Sequence, residues 1–589
     1  MGKTLDSALD AGMSRRSFLT GAVAAGAGIA AAGGLAATTK QAFADEAEAE
    51  EAAEEETAAE EEVASDEEVD WLGSAPDITD EDCAETVDCE VLVIGAGCSG
   101  YFAAAAAAEN GAQVLLIEKN AAGNSIRSSA LGAVNSTAQK EQNITIDEME
   151  IVNDYDHYAL GQCNSRLWRK WAQNSGEAID WYTDLLAENG MEVQLEWNVS
   201  HDTVYKCWPT GHGTNGDDFT GREADVAEIM DAYITSFDGC EERFSTPMQC
   251  LIEEDGRVVG AYAQDADGNY IRINASKGVV VATGGYSYNP DMYAALQPTR
   301  YSCLGSFLSY TSTTGDGIKA LLWLGAQLDD VHTSLTFNRS LLLADQQPGD
   351  PYNSGGNYFT FSSQPFLRVD CKGERFHNES APYDFVLNAI AKRPEGERYW
   401  HQVWDSNWKE DVTRFHTIGC STLVYREGSD HDAYEGKLDD EVEPQIEELV
   451  EAGYIVKADT LEELAEALGF DEEATENFLA TCERQNENFD NQIDPDFGKE
   501  PFRLSELRTA PFYATVKSCG LTLCTLDGIV VNDDLQPLGA DGEPIEGVYV
   551  VGNDQGCMYA GTYTNLGAGT NAGRSATFGR MVGKALAEA

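Results

Sequence analysis

At 589 residues, with 42% hydrophobic and 24% charged side chains, the chain is long enough for two sizeable folded regions. Its formal charge of −64 argues against nucleic acid and anionic membrane surfaces as partners, since both repel a polyanion. Residues 45–90 hold 22 of the acids and no Lys or Arg, and an acidic excess persists beyond them. It reads as a solubilising surface, with a docking face for a basic redox partner as the alternative.

Along the chain, Ser14-Arg-Arg-Ser-Phe-Leu-Thr20 matches the twin-arginine export pattern. A soft Ala/Gly stretch follows from Gly21 to Ala37, and Ala42-Phe-Ala44 supplies an A-x-A cleavage site. Residues 1–44 are therefore expected to be a signal peptide leading to the periplasm or cell envelope. Ala and Gly insert poorly into a bilayer, which disfavours a membrane anchor. Residues 45–86 are expected to be an acidic disordered linker, too polar to bury a core.

The fold is expected to begin near Val87. Cys89-Glu-Val-Leu-Val-Ile-Gly-Ala-Gly-Cys-Ser-Gly100 predicts a strand, a glycine turn and a helix over Tyr101–Ala108. Gly95, Gly97 and Gly100 fit G-x-G-x-x-G: a tight turn, close approach of backbone to a pyrophosphate, and close helix–sheet packing. A second strand follows over Val114–Ile117, and Glu118 ends it where a ribose 2′-OH needs an acceptor. Asp147–Glu188 predicts helices, with Trp168, Trp171, Ile179 and Trp181 as core. Thr246–Ala263 and Tyr270–Ala282 predict a hairpin feeding a buried strand that ends at Gly285. The middle of the chain is irregular, aromatic and polar, with helices near Leu461–Leu468 and Glu472–Arg484. Dinucleotide-binding texture returns at Gly547–Asn553 and runs to Gly579. The predicted class is α/β: a Rossmann-like domain (residues 87–329 and 509–589) interrupted by an inserted α+β capping or substrate domain (330–508).

Only one nucleotide fingerprint is present, so no NAD(P)H domain is expected. The returning glycine loop would set backbone N–H groups, at a helix N-terminus, against the redox end of a cofactor. That is the logic of a flavoprotein. The fourteen cysteines contain no C-x-x-C and are expected to be mostly buried thiols such as Cys98 and Cys250. A cluster built from distant cysteines stays open, but no metal site is assigned.

Five further motifs occur in order: Glu118-Lys-Asn-Ala-Ala-Gly-Asn-Ser125, Val281-Ala-Thr-Gly-Gly285, Thr314-Gly-Asp-Gly317, Gly373-Glu-Arg-Phe-His-Asn-Glu-Ser-Ala-Pro-Tyr-Asp384, and Gly567-Ala-Gly-Thr-Asn-Ala-Gly573 with Thr577-Phe-Gly579. With them the chain, over about 87–589, resembles the FAD-dependent oxidoreductase superfamily of fumarate reductase and succinate dehydrogenase flavoproteins. Within it, the chain is most similar to the 3-ketosteroid dehydrogenase branch. The resemblance implies FAD held by Gly95, Gly97, Ser99, Gly100, Glu118, Lys119, Asn124, Ser125, Ser129, Thr283, Gly284, Asp316, Gly552, Asn553, Gly567, Gly569 and Thr570.

The resemblance also locates the reaction. Fumarate-type members carry a proton-donating arginine four residues after the motif glutamate; here Tyr383 stands four residues after Glu379. Their arginine before the last L-G-G is Asn565 here, and their histidine before T-x-G-G is Cys524. Without those cations a dicarboxylate loses its bidentate partners, so fumarate is disfavoured. A phenol, with an ordinary pKa of about 10, is neutral at working pH and can protonate an enolate-like carbon. Tyr383, Tyr155 and Asn565 are the catalytic candidates, Asn565 holding the developing oxyanion. Asn565 replaces the tyrosine usual in ketosteroid members, which argues against a ring-A 3-ketone in the standard pose. Arg375 and Glu379 are expected to be a structural pair, and His377, His401 and His416 are weaker candidates. The expected function is reduction of a C=C bond conjugated to a carbonyl, a hydride passing from the flavin to the β-carbon. Electrons would come from a separate cytochrome or iron–sulfur protein at the membrane. The alternatives are a ketosteroid-type dehydrogenase, a fumarate reductase-like subunit and a non-catalytic flavin electron carrier.

Overall fold

The computed structural model describes residues 70–123, 131–195, 207–215, 222–381, 383–415, 423–424, 435–561 and 563–589. The export motif, most of the acidic linker, His416, Asn124, Ser125 and Ser129 lie outside them. In chain order the elements that position the site are β1 (Cys83–Ile94), α1 (Cys98–Glu109), β2 (Val114–Ile117), α2 (Glu148–Tyr158), α3 (Ser165–Glu188), β3 (Glu241–Arg243), β4 (Met248–Glu254), β5 (Arg257–Gln264) and β6 (Tyr270–Val281). They continue with β7 (Ser334–Leu342), β8 (Leu367–Val369), α4 (Asp384–Ile390), β9 (His401–Trp404), β10 (Ile455–Ala458), β11 (Phe512–Thr515), β12 (Lys517–Thr525), β13 (Val548–Val550) and α5 (Thr570–Glu588).

The main sheet has seven strands in the order β3-β2-β1-β6-β5-β4, with β13 also on β6. β3, β2, β1, β6 and β13 run parallel, and β5 and β4 add an antiparallel hairpin. The first half of β6, Tyr270–Asn274, pairs with β5, and its second half, Val279–Val281, pairs with β13. The central strands are apolar without alternation: Val91–Ile94, Val114–Ile117 and Val279–Val281 are all buried, as strands covered on both faces must be.

α1 is almost wholly buried, and its run from Ala103 to Ala108 lets it approach both sheet and α5 closely. Gly100 shows how close: a Cβ there would stand 1.8 Å from the Gly95 carbonyl oxygen. α3 buries Trp168, Trp171 and Ile179, while Trp181 is half-buried and donates to Glu109 at 2.9 Å. Among the described residues no helix is long and apolar enough to cross a membrane.

Two further four-stranded sheets flank this one. In one, β12 lies between Leu304–Phe307 and β7, with Asn357–Tyr358 at the far edge of β7. In the other, the order is β8-β9-β11-β10, all antiparallel. The expected helix Leu461–Leu468 forms, with Thr460 and Glu463 as a capping box. Its successor runs to Asn491 rather than Arg484, because Cys482, Gln485 and Asn488 continue a buried stripe.

Candidate functional site

A cavity opens at the C-terminal ends of β1, β2 and β6. It brings together Gly95, Gly97, Ser99, Glu118, Lys119, Thr283, Gly284, Asp316, Gly552 and Asn553. Gly95 (φ +105) turns the chain from β1 into α1, and a Cβ there would meet the Ala282 carbonyl oxygen at 2.4 Å. Gly97 caps α1, so the free N–H groups of its first turn face the cavity's end of the sheet. Glu118 Oε2 accepts from Ala96 N–H at 2.8 Å, and its Oε1 accepts from Asn120 N–H at 2.9 Å. That fixes the carboxylate at the end of β2. Lys119 Nζ donates to Asp316 Oδ2 at 2.6 Å and to Thr314 Oγ1 at 2.7 Å, joining two of the motifs.

Asp554 is central to the cavity's geometry and escaped the sequence reading. It is fully buried, and its carboxylate accepts from the N–H groups of Thr283, Gly284 (3.2 Å) and Gly285 (2.9 Å), and from Thr283 Oγ1. Successive N–H groups wrapped round one oxygen pair form an anion nest. Burial raises the Asp554 carboxyl above its ordinary range, against the pull of those donors. Its only sequence signal is an acid directly after Asn553. Asp554→Ala strands three backbone donors at about 1–3 kcal/mol each. It is expected to lower both the thermal midpoint and the flavin retained through purification, with Asp554→Asn intermediate; differential scanning fluorimetry and the flavin-to-protein absorbance ratio check this.

The glycine run after Asn565 forms the second half of the site. Gly569 (φ +70) caps α5, the helix that begins at Thr570. Thr210 Oγ1 donates to Ala568 O at 2.7 Å, Gly132 N–H to Gly569 O at 2.7 Å, and Trp208 N–H to Leu566 O. Thr570 Oγ1 donates to the Tyr563 phenol at 3.0 Å. Tyr155 on α2 reaches this loop: a Cβ on Gly567 would stand 2.0 Å from its phenol oxygen. Its ring packs edge-on against Trp168, with centroids 4.6 Å apart. Burial pushes the Tyr155 phenol well above its ordinary pKa, with Tyr563 and Tyr559 adding to the shift.

Tyr383 sits at the turn before α4, 2% exposed, with φ 38° and ψ −98°. Such a backbone costs a non-glycine residue about 1–3 kcal/mol and persists only where its surroundings hold it. They do so here. The next residue, Asp384, is fully buried, pairs with Arg300 Nη1 at 2.9 Å and accepts from Tyr563 N–H at 3.1 Å. That last bond joins the Tyr383 turn to the segment carrying Asn565. The Tyr383 ring packs edge-on against Phe337 at 4.7 Å, and the Arg339 guanidinium lies 5.9 Å from its centroid. Phe337, Arg339 and Arg300 had no sequence signal; they come from β7 and from a short helix at Pro298–Tyr301.

Behind the turn lies a buried ionic cluster. Arg375 donates to both Glu379 oxygens at 2.8 and 2.7 Å and to Asp494 at 2.8 Å, and Lys499 Nζ stands 3.4 Å from Glu379. Burial alone would raise the Glu379 carboxyl, but Arg375 and Lys499 hold it well below the usual range. Burial pushes His377 down to about 3 and His401 down to about 4, so both are neutral. His401 Nδ1 lies 3.1 Å from Thr515 O within the β9–β11 sheet, and His377 lies inside the cluster.

A group is implied over the glycine loop. The Tyr155 phenol, Thr564 Oγ1 and Asn565 Nδ2 are buried with no hydrogen-bond partner, an arrangement that costs folding energy unless something fills it. The glycine cradle at the ends of β1, β2 and β6 suits a dinucleotide cofactor.

The family model for the FAD binding domain matches residues 90–570. The chain belongs to this family. It is an FAD-dependent oxidoreductase of the superfamily that includes fumarate reductase flavoproteins and 3-ketosteroid dehydrogenases, and its cofactor is FAD. Vinyl phenol reductase of Lactiplantibacillus plantarum is 28% identical over 507 residues, 85% of this chain and 96% of that protein. NADH:fumarate oxidoreductase of Klebsiella pneumoniae is 26% identical, across 80% of this chain but 45% of its own length. Among solved structures, 3-ketosteroid-Δ4-(5α)-dehydrogenase of Rhodococcus jostii shares the fold with a TM-score of 0.63 at 19% identity, over 87% of this chain and 99% of that one. The cavity residues, from Gly95 round to Asn553, are those that would hold FAD.

Proposed function

We propose that this flavoprotein reduces a C=C bond conjugated to a carbonyl on a substrate that is not a dicarboxylate. The observation that carries this is the meeting of the Tyr383 turn with the orphaned donors of the glycine loop, through the Asp384–Tyr563 bond. Bound FAD supplies the hydride. Tyr383, held in a strained and buried turn, delivers the proton to the α-carbon. The Arg339 guanidinium lies 5.9 Å from the centre of its ring. Asn565 Nδ2 and the Tyr155 phenol, desolvated and without partners, would donate to the oxygen that gains charge. The part of the chain between 330 and 508 would close over the substrate and exclude water.

The relatives support the direction. They include a vinyl phenol reductase and an NADH:fumarate oxidoreductase. Cys524 and Asn565, at the two positions where fumarate-type members hold cations, support a non-dicarboxylate. The twin-arginine motif at 14–20 supports export. Electrons would then reach the flavin from a separate cytochrome or iron–sulfur protein at the membrane.

Anaerobic stopped-flow of the dithionite-reduced holoprotein against fumarate, a vinyl phenol, cinnamates and steroid enones tests this. Reoxidation by an aromatic or steroid enone, with fumarate inert, is the expected result. Reoxidation by fumarate alone overturns the substrate class. No reoxidation, with bleaching of the oxidised flavin by a saturated ketone, reverses the direction.

A further inference from the structure

We propose that the ionic cluster behind the Tyr383 turn is a binding site for one small monovalent anion of chloride's class, with Arg368 as its principal donor. Arg368, on β8, is fully buried. Its Nη2 donates to the carbonyl oxygens of Ser362 and Gln364 at 2.9 and 3.2 Å, and its Nε to Gln402 Oε1 at 3.4 Å. All of these acceptors are neutral, and Nη1 has no partner. The guanidinium belongs to the cluster: Glu379 is the charge it feels, the Arg368 N–H lies 3.4 Å from Glu379 Oε1, and the next residue, Val369, pairs with Arg375. Further orphaned atoms sit on the same segments. Arg375 Nη1, both ring nitrogens of His377, Ser362 Oγ and Ser380 Oγ are buried without hydrogen-bond partners. His377 lies within electrostatic reach of Arg368, Arg375, Lys499 and Glu379.

Charge decides what fills the space. Three cations shielded from water, Arg368, Arg375 and Lys499, face two buried carboxylates, Glu379 and Asp494. Both carboxylates are committed. Glu379 accepts from Arg375 with both oxygens and has Lys499 beside it, and Asp494 accepts from Arg375 and from the N–H groups of Asp496, Phe497 and Lys499. Asp370, just beyond β8, is held by Arg393 and by the N–H groups of Lys372 and Glu374. Burial pushes Arg368 down to about 10 and Lys499 down to about 8, so both stay charged at neutral pH. The cluster therefore carries one positive charge more than its carboxylates balance. Water can satisfy the orphaned donors but not that charge, and an uncompensated buried ion is costly. One monovalent anion accepts from guanidinium, imidazole and hydroxyl donors together and closes the balance; a dianion overshoots it. None of these residues is among those lining the cofactor cavity, so the anion is drawn from solvent and is not a group of the cofactor. Bound there, it would brace the segment that leads from Glu379 into the strained turn at Tyr383.

The test follows the thermal midpoint of the FAD-loaded full chain as chloride replaces gluconate at constant ionic strength. Its outcome is independent of which substrate reoxidises the flavin. Binding is expected to raise the midpoint saturably, by about 1–3 °C at a chloride concentration about tenfold above the dissociation constant. Arg368→Gln is expected to abolish that response. A parent protein indifferent to chloride overturns the proposal. So does a rise of the same size in Arg368→Gln, which would mark a general salt effect or an adventitious surface ion only. Should Arg368→Gln fail to fold, anomalous diffraction from bromide-soaked crystals of the parent protein decides. A bromide peak within contact distance of Arg368 Nη1 is the expected result, and water alone at that position overturns the proposal.

Discussion

Replacing Tyr383 by phenylalanine is expected to slow reoxidation of the reduced protein by its enone about 10²–10⁴-fold, the range a positioned general acid contributes. The flavin content and thermal midpoint should stay near those of the parent protein. Phenylalanine keeps the ring that packs against Phe337, and it meets the same backbone constraint at φ 38°. Only the proton donor is lost. The comparison to make is stopped-flow reoxidation in both proteins at one substrate concentration across pH. If Tyr383 is the acid, the variant loses the rate without losing substrate binding. A rate that survives the substitution would move the proton donation elsewhere, with Tyr155 the next phenol to replace.

The second large effect belongs to Glu379. Glu379→Ala leaves Arg375 and Lys499 buried against each other with one carboxylate, Asp494, where there were two. Removing one partner from a buried ionic cluster costs about 3–5 kcal/mol, because the charges left behind are not solvated. Tyr383 lies four residues beyond Glu379 on the same turn, so activity should fall with stability. The sign of the pH dependence follows from the depressed carboxyl. A carboxylate held below its unfolded value stabilises the fold above the unfolded pKa, about 4.3, and that stability is lost as pH falls. The parent protein should therefore lose stability on acidification more steeply than Glu379→Ala. Urea denaturation of both proteins between neutral pH and pH 3 measures it.

Much of the nucleotide half was readable in one dimension because its constraints are local. A glycine must stand where φ is +105°, as at Gly95, and a run such as Val91–Ile94 must be apolar where a strand is covered on both faces. Arg375 and Glu379 likewise betray themselves through the one short motif that carries both. Asp554 does not, although it organises the Thr283–Gly285 turn, because the residues it serves are about 270 positions away. The same holds for Phe337 and Arg339 beside Tyr383, and for Tyr563, whose N–H ties the acid's turn to the glycine loop.

By itself, the sequence determined the α/β class, the single dinucleotide fingerprint, the FAD superfamily and the candidates Tyr383, Tyr155 and Asn565. Each of these depends on residue types at short spacing, set by backbone geometry or by a motif. Tertiary structure alone decided that Tyr155 abuts Gly567, that Asp384 links Tyr383 to residue 563, and that Asp554 holds the Thr283–Gly285 turn. Those facts depend on which segments the sheets bring together. Whether a polar group is paired or orphaned is settled by distant neighbours, and no local pattern in the chain records them.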